Sequence, residues 1–298
     1  MKKILKLSIA LLLGLTIVGC SSNDAPVEEV EETTETTETT EAAEGSDVLN
    51  KILDSGVLVV ATSPDYPPME FLDENSQPVG SDMMLAQHIA DVLGVELKIE
   101  TMEFAGTLTA VDTGKVDLAI SGFGWKEDRA ENYELSIGYN NEEGAESSCH
   151  TVLLKKEDVE KYPTPESMDG LTIAAQAASL QEMYAKDQIP NVQLEIVQQI
   201  DQGVIALQTG KVQGISLSCD IAKGYANTLE DTGIALFEFD LSMYEDYAGN
   251  VIAAKKGETA LIEKVNEILT DVNETGKFVE WDKAAKAKAR ELGIDFEE

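Results

Sequence analysis

Two stretches of the chain decide its fold: Ala110-Val-Asp-Thr-Gly-Lys-Val-Asp-Leu-Ala-Ile-Ser121 and, 96 residues further on, Ala206-Leu-Gln-Thr-Gly-Lys-Val-Gln-Gly-Ile-Ser-Leu217. Each reads as the end of a helix, a Thr-Gly-Lys turn and a strand. A second echo pairs the Val-rich run Val57 to Thr62, after Gly56, with Leu171 to Gln176, after Gly170. Two echoes in the same order predict two lobes of similar build, each with its own sheet.

Outward from these stretches, strands and helices alternate. Met84, Leu85, Ile89 and Val92 recur at helical spacing in Met83 to Leu93, and Gly94 follows as a C-cap. Val95 to Glu100 then reads as a strand and Leu108 to Thr113 as the end of a helix. This order predicts an α/β fold. Ligands of open α/β sheets lie beyond the carboxyl ends of the strands. That rule nominates Thr62 to Tyr66 and Ser121 to Gly124 in the first lobe, and Gln176 to Leu180 and Leu217 to Asp220 in the second. If the lobes face each other, the cleft between them is the site.

The chain has 298 residues, with 22 Lys+Arg against 56 Asp+Glu, a net charge of −34, three Cys and two His. So much negative charge repels phosphate backbones, which excludes nucleic acid as a partner class. Ten acids and no base lie between residues 21 and 47, while residues 1–19 carry Lys2, Lys3 and Lys6 and no acid. The remaining body is still at −27.

Residues 1–19 have the form of a secretory signal, a basic start followed by an apolar run from Leu7 to Val18 that is short for a membrane span. Ile17-Val18-Gly19-Cys20 resembles the bacterial lipobox, which implies lipidation (a palmitate among the acyl groups) at Cys20. Residues 20–47, with the Glu/Thr tract from Glu31 to Glu41, have no apolar period and one sign of charge, so they read as a disordered tether. A coil of that length spans roughly 30 Å.

From about Leu53 to Gly293 the chain resembles the polar amino-acid substrate-binding proteins of bacterial ABC importers, solute-binding family 3. The markers are Tyr66-Pro67-Pro68-Met69-Glu70-Phe71, Val79-Gly80-Ser81-Asp82, Phe104, Gly114 to Gly122, Glu127-Asp128-Arg129, Ser136 to Tyr139, Ser179-Leu180-Gln181-Glu182 and Val251 to Gly257. The resemblance implies a type II periplasmic-binding-protein fold, two lobes joined by two crossing strands near Ser147 to Leu153 and Asn250 to Lys255. Lobe 1 is then 48–146 plus 249–298 and lobe 2 is 147–248. It further implies a monomer on the extracytoplasmic face of the cell membrane, an ABC permease as partner, an amino-acid ligand and no cofactor.

Arg129 is the first candidate contact, because a guanidinium forks two hydrogen bonds onto a carboxylate. The resemblance implies that it holds an α-carboxylate; the plain alternative is a surface Arg paired with Glu127 or Glu131. Ser179 begins an S-x-x-E capping pattern, and a helix N-terminus also attracts a carboxylate. The family usually has Gly where Ala178 stands. Tyr66 and Phe104 match aromatic positions that sandwich the ligand, with core packing the alternative for Phe104. Ser121, Gly122, Phe123, Gly124 and Leu180 complete the lining, with Trp125 beside them. Ser218 occupies the place of the family's ammonium-binding Asp, and Asp220 stands two residues on. Ser63 stands where binders of basic amino acids often carry an acid.

Cys149 and Cys219 are either a disulfide or two core thiols. With His150 they match no metal-ligand spacing, and no metal is expected. Two other functions use the same fold: a tethered ligand sensor, or a dehydratase-like enzyme drawing on a carboxylate such as Glu70 or Glu146. Against the enzyme, the chain has no G-x-S-x-G, H-E-x-x-H or nucleotide loop.

Overall fold

The computed structural model describes residues 47–140, 149–244 and 249–294. In it the two Thr-Gly-Lys turns take the same form. Gly114 and Gly210 have φ of 68° and 77°, the left-handed region that a side chain would strain. After each, two amides turn back onto one helix carbonyl: Lys115 and Val116 donate to Ala110, and Lys211 and Val212 to Ala206. These bonds satisfy the carbonyl ends of α3 (Phe104–Asp112) and α6 (Ile200–Gln208). The next residue ties the turn to a neighbouring strand, Asp117 Oδ2 accepting from Val59 N at 2.9 Å and Gln213 Oε1 from Thr172 N at 3.0 Å. The chain leaves both turns aimed into a sheet, as β6 (Leu118–Ala119) and β11 (Gly214–Ser218).

The two five-stranded sheets share one plan. The first runs β5 (Glu96–Thr101), β1 (Val57–Thr62), β6, β13 (Ala253–Lys255), β7 (Tyr133–Leu135). The second runs β10 (Gln193–Val197), β9 (Thr172–Gln176), β11, β8 (His150–Lys155), β12 (Thr232–Ile234). In each, the first three strands are parallel and the fourth is antiparallel to both its neighbours. That fourth strand always arrives from the other sheet's stretch of chain, β8 after β7 and β13 after β12, so β8 and β13 are the two crossings. A small sheet of β2 (Asp65–Tyr66), β3 (Glu70–Leu72) and β4 (Pro78–Val79) follows the carboxyl end of β1.

Helices cover both sheets. In the first, α1 (Asp47–Ser55) leads into β1, and α2 (Ser81–Leu93), α8 (Thr259–Thr275) and α9 (Lys277–Glu291) bury Leu85, Ile89, Val265, Leu269 and Phe278 against Leu58, Val60, Leu118 and Ile120. Helix α2 stops at Gly94, which is left-handed as a C-cap requires. In the second sheet β8 sends Leu153 to one face, with Val204, Leu217 and Ile221 of α6, β11 and α7 (Cys219–Thr228). Val152 and Leu154 go to the other face, with Met168 and with Tyr184 of α5 (Leu180–Gln188). That alternation is the period of a strand covered on both sides. Each aliphatic side chain so buried contributes about 1.5–3 kcal/mol.

Cys149 and Cys219 form a disulfide, with Cα atoms 5.4 Å apart, joining the start of β8 to the first residue of α7. Their sulfurs lie beside the Glu238 carboxylate, whereas the His150 ring faces Gln181 Nε2 at 3.2 Å. Residues 1–46, with the signal, Cys20 and nearly all of the tether, lie outside the described residues, as does Glu146. Among the described residues no helix is long and apolar enough to cross a membrane.

Candidate ligand-binding cleft between the two sheets

The carboxyl ends of β1, β6, β9 and β11 meet, and side chains from one sheet reach the other. Within the first, Ser63 N donates to Ser121 Oγ at 3.0 Å. Across the gap, Asp65 Oδ2 accepts from Gln176 Nε2 and from Ile200 N, both at 2.9 Å, while its Oδ1 accepts from Ser63 Oγ at 2.8 Å. Ile200 opens α6, so its N–H is one of the amides a helix leaves unpaired, and a carboxylate there is favoured. Burial nonetheless raises the Asp65 pKa, the Ile200 N–H opposing it. The residue-level reading nominated the segment holding Asp65 but not this bridge, which has no signature in local sequence.

Arg129 lies in the short helix α4 (Glu127–Asn132) and is 2% exposed. One Nη donates to the Gly124 carbonyl and the other to that of Ala178, at 3.1 Å, from the opposite sheet's loop. Its Cζ stands 4.9 Å from the Phe123 ring centre and 5.9 Å from that of Phe104, and the two rings are 4.8 Å apart. Nε has no partner among the described residues. Desolvation pulls the guanidinium pKa down to about 10, which leaves it charged at neutral pH. It is not a surface residue paired with Glu127 or Glu131. It is a dehydrated cation seated on aromatic faces, and its donors lie where a carboxylate would be gripped strongly. A hollow of about 310 Å³ lined by Lys126, Arg129, Tyr133 and Ala178 opens beside it.

Ser179 is the N-cap of α5: its Oγ accepts from Glu182 N at 3.1 Å and donates to the Gln176 carbonyl at 2.8 Å. Glu182 Oε2 reaches Ala178 N at 2.7 Å, one residue earlier than a capping box has it. Ala178 holds φ 65°, a left-handed turn made without glycine. Leu180 then presses on Gly124, where a Cβ would sit 2.3 Å from Leu180 Cδ1. At Gly122 (φ 56°) a Cβ would come within 3.2 Å of the Tyr66 ring. At Gly122 the left-handed backbone itself favours glycine, whereas at Gly124 a side chain would have to push the Leu180 tip aside.

Tyr66 packs on the cores of both sheets. Desolvation raises its hydroxyl pKa, and the negative charge of Asp220, at the start of α7, adds to the rise. Ser218 is buried, its Oγ without a hydrogen bond among the described residues, and Asp220 lies 4.0 Å from Lys223 in the first turn of α7. Phe104 and Trp125 are half-buried against the cluster that holds Phe123. The nominated residues thus form one belt, from Ser218, Asp220 and Tyr66 through Ser121 and Gly122 to Phe123, Gly124, Arg129, Phe104, Ser179 and Leu180. Under the belt, Asp82 Oδ2 accepts from Gly122 N at 2.8 Å and Tyr139 Oη at 2.9 Å, and Glu70 Oε1 accepts from Ser121 Oγ at 3.1 Å.

The chain is similar to proteins of matching build. The L-cystine-binding protein TcyJ of Escherichia coli K12 is 22% identical over 77% of this chain and 82% of its own length. The arginine-binding extracellular protein ArtP of Bacillus subtilis 168 is 26% identical over 74% of this chain and 82% of its own. An amino acid ABC transporter substrate-binding protein from Streptococcus pneumoniae, crystallised with L-arginine, superposes with a TM-score of 0.70 at 33% identity, over 80% of this chain and 97% of that one. Such neighbours have the two-lobe type II fold. The family model for bacterial extracellular solute-binding proteins, family 3, matches residues 58–284, and the chain belongs to that family.

Proposed function

We propose that this protein captures an amino acid in the cleft and delivers it to the permease of an ABC importer, as a monomer held on the outer face of the membrane by lipid on Cys20. Lobe 1 is 48–146 plus 249–298 and lobe 2 is 147–248. The observation that carries this reading is Arg129, a buried cation between the lobes whose partners are backbone carbonyls of both. A ligand carboxylate exchanges those carbonyls for a charge-assisted pair. Tyr66 and Phe104 flank the ligand stem, Ser121 to Gly124 and Ser179 with Leu180 close over it, and Ser218 or Asp220 takes the ammonium group. Because these groups come from both lobes, only the closed state makes every contact, so ligand shifts the population toward closure.

The test is a thermal-shift screen of amino acids and small carboxylates. A true ligand raises Tm, because at a given free concentration it stabilises the folded state by RT ln(1 + [L]/Kd). A set in which no α-amino acid stabilises the protein would overturn the reading. Stabilisation with turnover of the compound would instead support the dehydratase-like enzyme.

A further inference from the structure

Glu70 on β3 and Asp82 on α2 are both wholly buried, and they take hydrogen bonds from the consecutive residues Ser121 and Gly122, close enough for each charge to act on the other. Each has one oxygen fully used. Glu70 Oε1 accepts from Ser121 Oγ, and Asp82 Oδ2 from Gly122 N and Tyr139 Oη. Each has one oxygen with no donor among the described residues, Glu70 Oε2 and Asp82 Oδ1. Two unpartnered buried acceptors on two neighbouring acids are a costly arrangement unless a proton lies between them.

We propose that Glu70 and Asp82 share one proton, held between Glu70 Oε2 and Asp82 Oδ1, and that this proton fixes the Ser121–Gly122 segment in the shape the cleft uses. Neutral Glu70 donates to ionised Asp82, and all four oxygens are then satisfied. The principal titratable groups facing the pair are Asp65 and Tyr139, with Tyr66 above, and none of them is a cation. Among these groups a second negative charge has nothing to neutralise it. Loss of the proton leaves two carboxylates repelling each other directly beneath Gly122, and the segment yields.

Burial first, and mutual repulsion second for Glu70, push both groups up from their ordinary range. An acid raised in the native state keeps a proton that the unfolded chain has already released near pH 4. Its contribution to stability is therefore present at low pH and is lost as pH rises through the native value.

The experiment uses the ligand-free full chain. Infrared spectroscopy of protein carrying ¹³C-labelled glutamate shows a protonated carboxylic acid band at neutral pH that Glu70→Gln removes. In urea unfolding between about pH 5 and about pH 9, the wild type's unfolding constant rises by up to about tenfold per pH unit relative to Glu70→Gln, which keeps the donor without the titration. Asp82→Asn, whose amide donates to an ionised Glu70, flattens the profile in the same way. The ¹⁵N shift of the Gly122 amide follows the wild-type titration and not that of either variant. Absence of the acid band, or a Glu70→Gln profile with the wild-type slope, overturns the proposal. No readout involves a ligand, so its failure leaves the transport reading untouched.

Discussion

At the scale of single residues, Arg129 is held by carbonyl dipoles and rings, with Nε unpartnered among the described residues, so a carboxylate would meet a dehydrated cation with donors to give. Arg129→Ala abolishes ligand binding in calorimetry while circular dichroism stays that of the wild type; retained affinity would refute its assignment. Ala178 offers a second check. Its φ of 65° strains a Cβ by about 1–2 kcal/mol, partly offset by glycine's greater freedom when unfolded. Ala178→Gly therefore stabilises by about 0.5–1 kcal/mol in urea unfolding, and a loss of stability would count against the left-handed turn. Arg129 was legible because its chemistry is rare in an acidic chain and its surroundings resemble a known pattern. Asp65 was not, since one Asp among 56 acids carries no mark of the helix end it will meet 135 residues later.

At the scale of elements, close contact between α6 and its sheet depends on Gly203. A Cβ there would lie 2.4 Å from Ile215 Cδ1 and 3.3 Å from Ala174 Cβ. Gly203→Ala displaces the Ile215 tip and crowds Ala174, an overpacking that costs about 1–3 kcal/mol, read as a lower urea midpoint with unchanged slope. The disulfide closes a separation of 70 residues and stabilises by about 4 kcal/mol in the chain-entropy model. Reduction lowers Tm, and non-reducing mass spectrometry finds the 149–219 link. Elements with a strong period and a glycine stop, such as α2, were readable in the sequence. The three-stranded sheet was not, because strands of two or three residues have no period to detect. The first echo predicted a strand as far as Ser121, yet the β6 strand ends at Ala119, and Ser121 bonds with Ser63 and Glu70 instead.

At the scale of the whole molecule, Asp65 joins the two sheets through the bonds its carboxylate accepts from Gln176 and Ile200. Asp65→Ala removes the acceptor for Gln176 and Ile200, so small-angle scattering reports a wider ligand-free particle and ligand dissociates faster; Asp65→Asn, which keeps an acceptor, stays near wild type. Equal behaviour of the two variants would show that the bridge does not control closure. The existence of two sheets was written in the echoes, whereas the crossings came from resemblance alone: β13 has three residues, and Ala253 pairs with Ala119 from far away in the chain. That pairing also dictates an order of assembly. All five strands of the second sheet fall between residues 150 and 234, so it can be completed while the chain is still emerging. The first sheet has a vacant place in its middle until residues 253–255 appear, and β6 and β7 meanwhile present open edges to any passing strand. The half of the protein made first is therefore the half that finishes last, and it is the half a chaperone must guard.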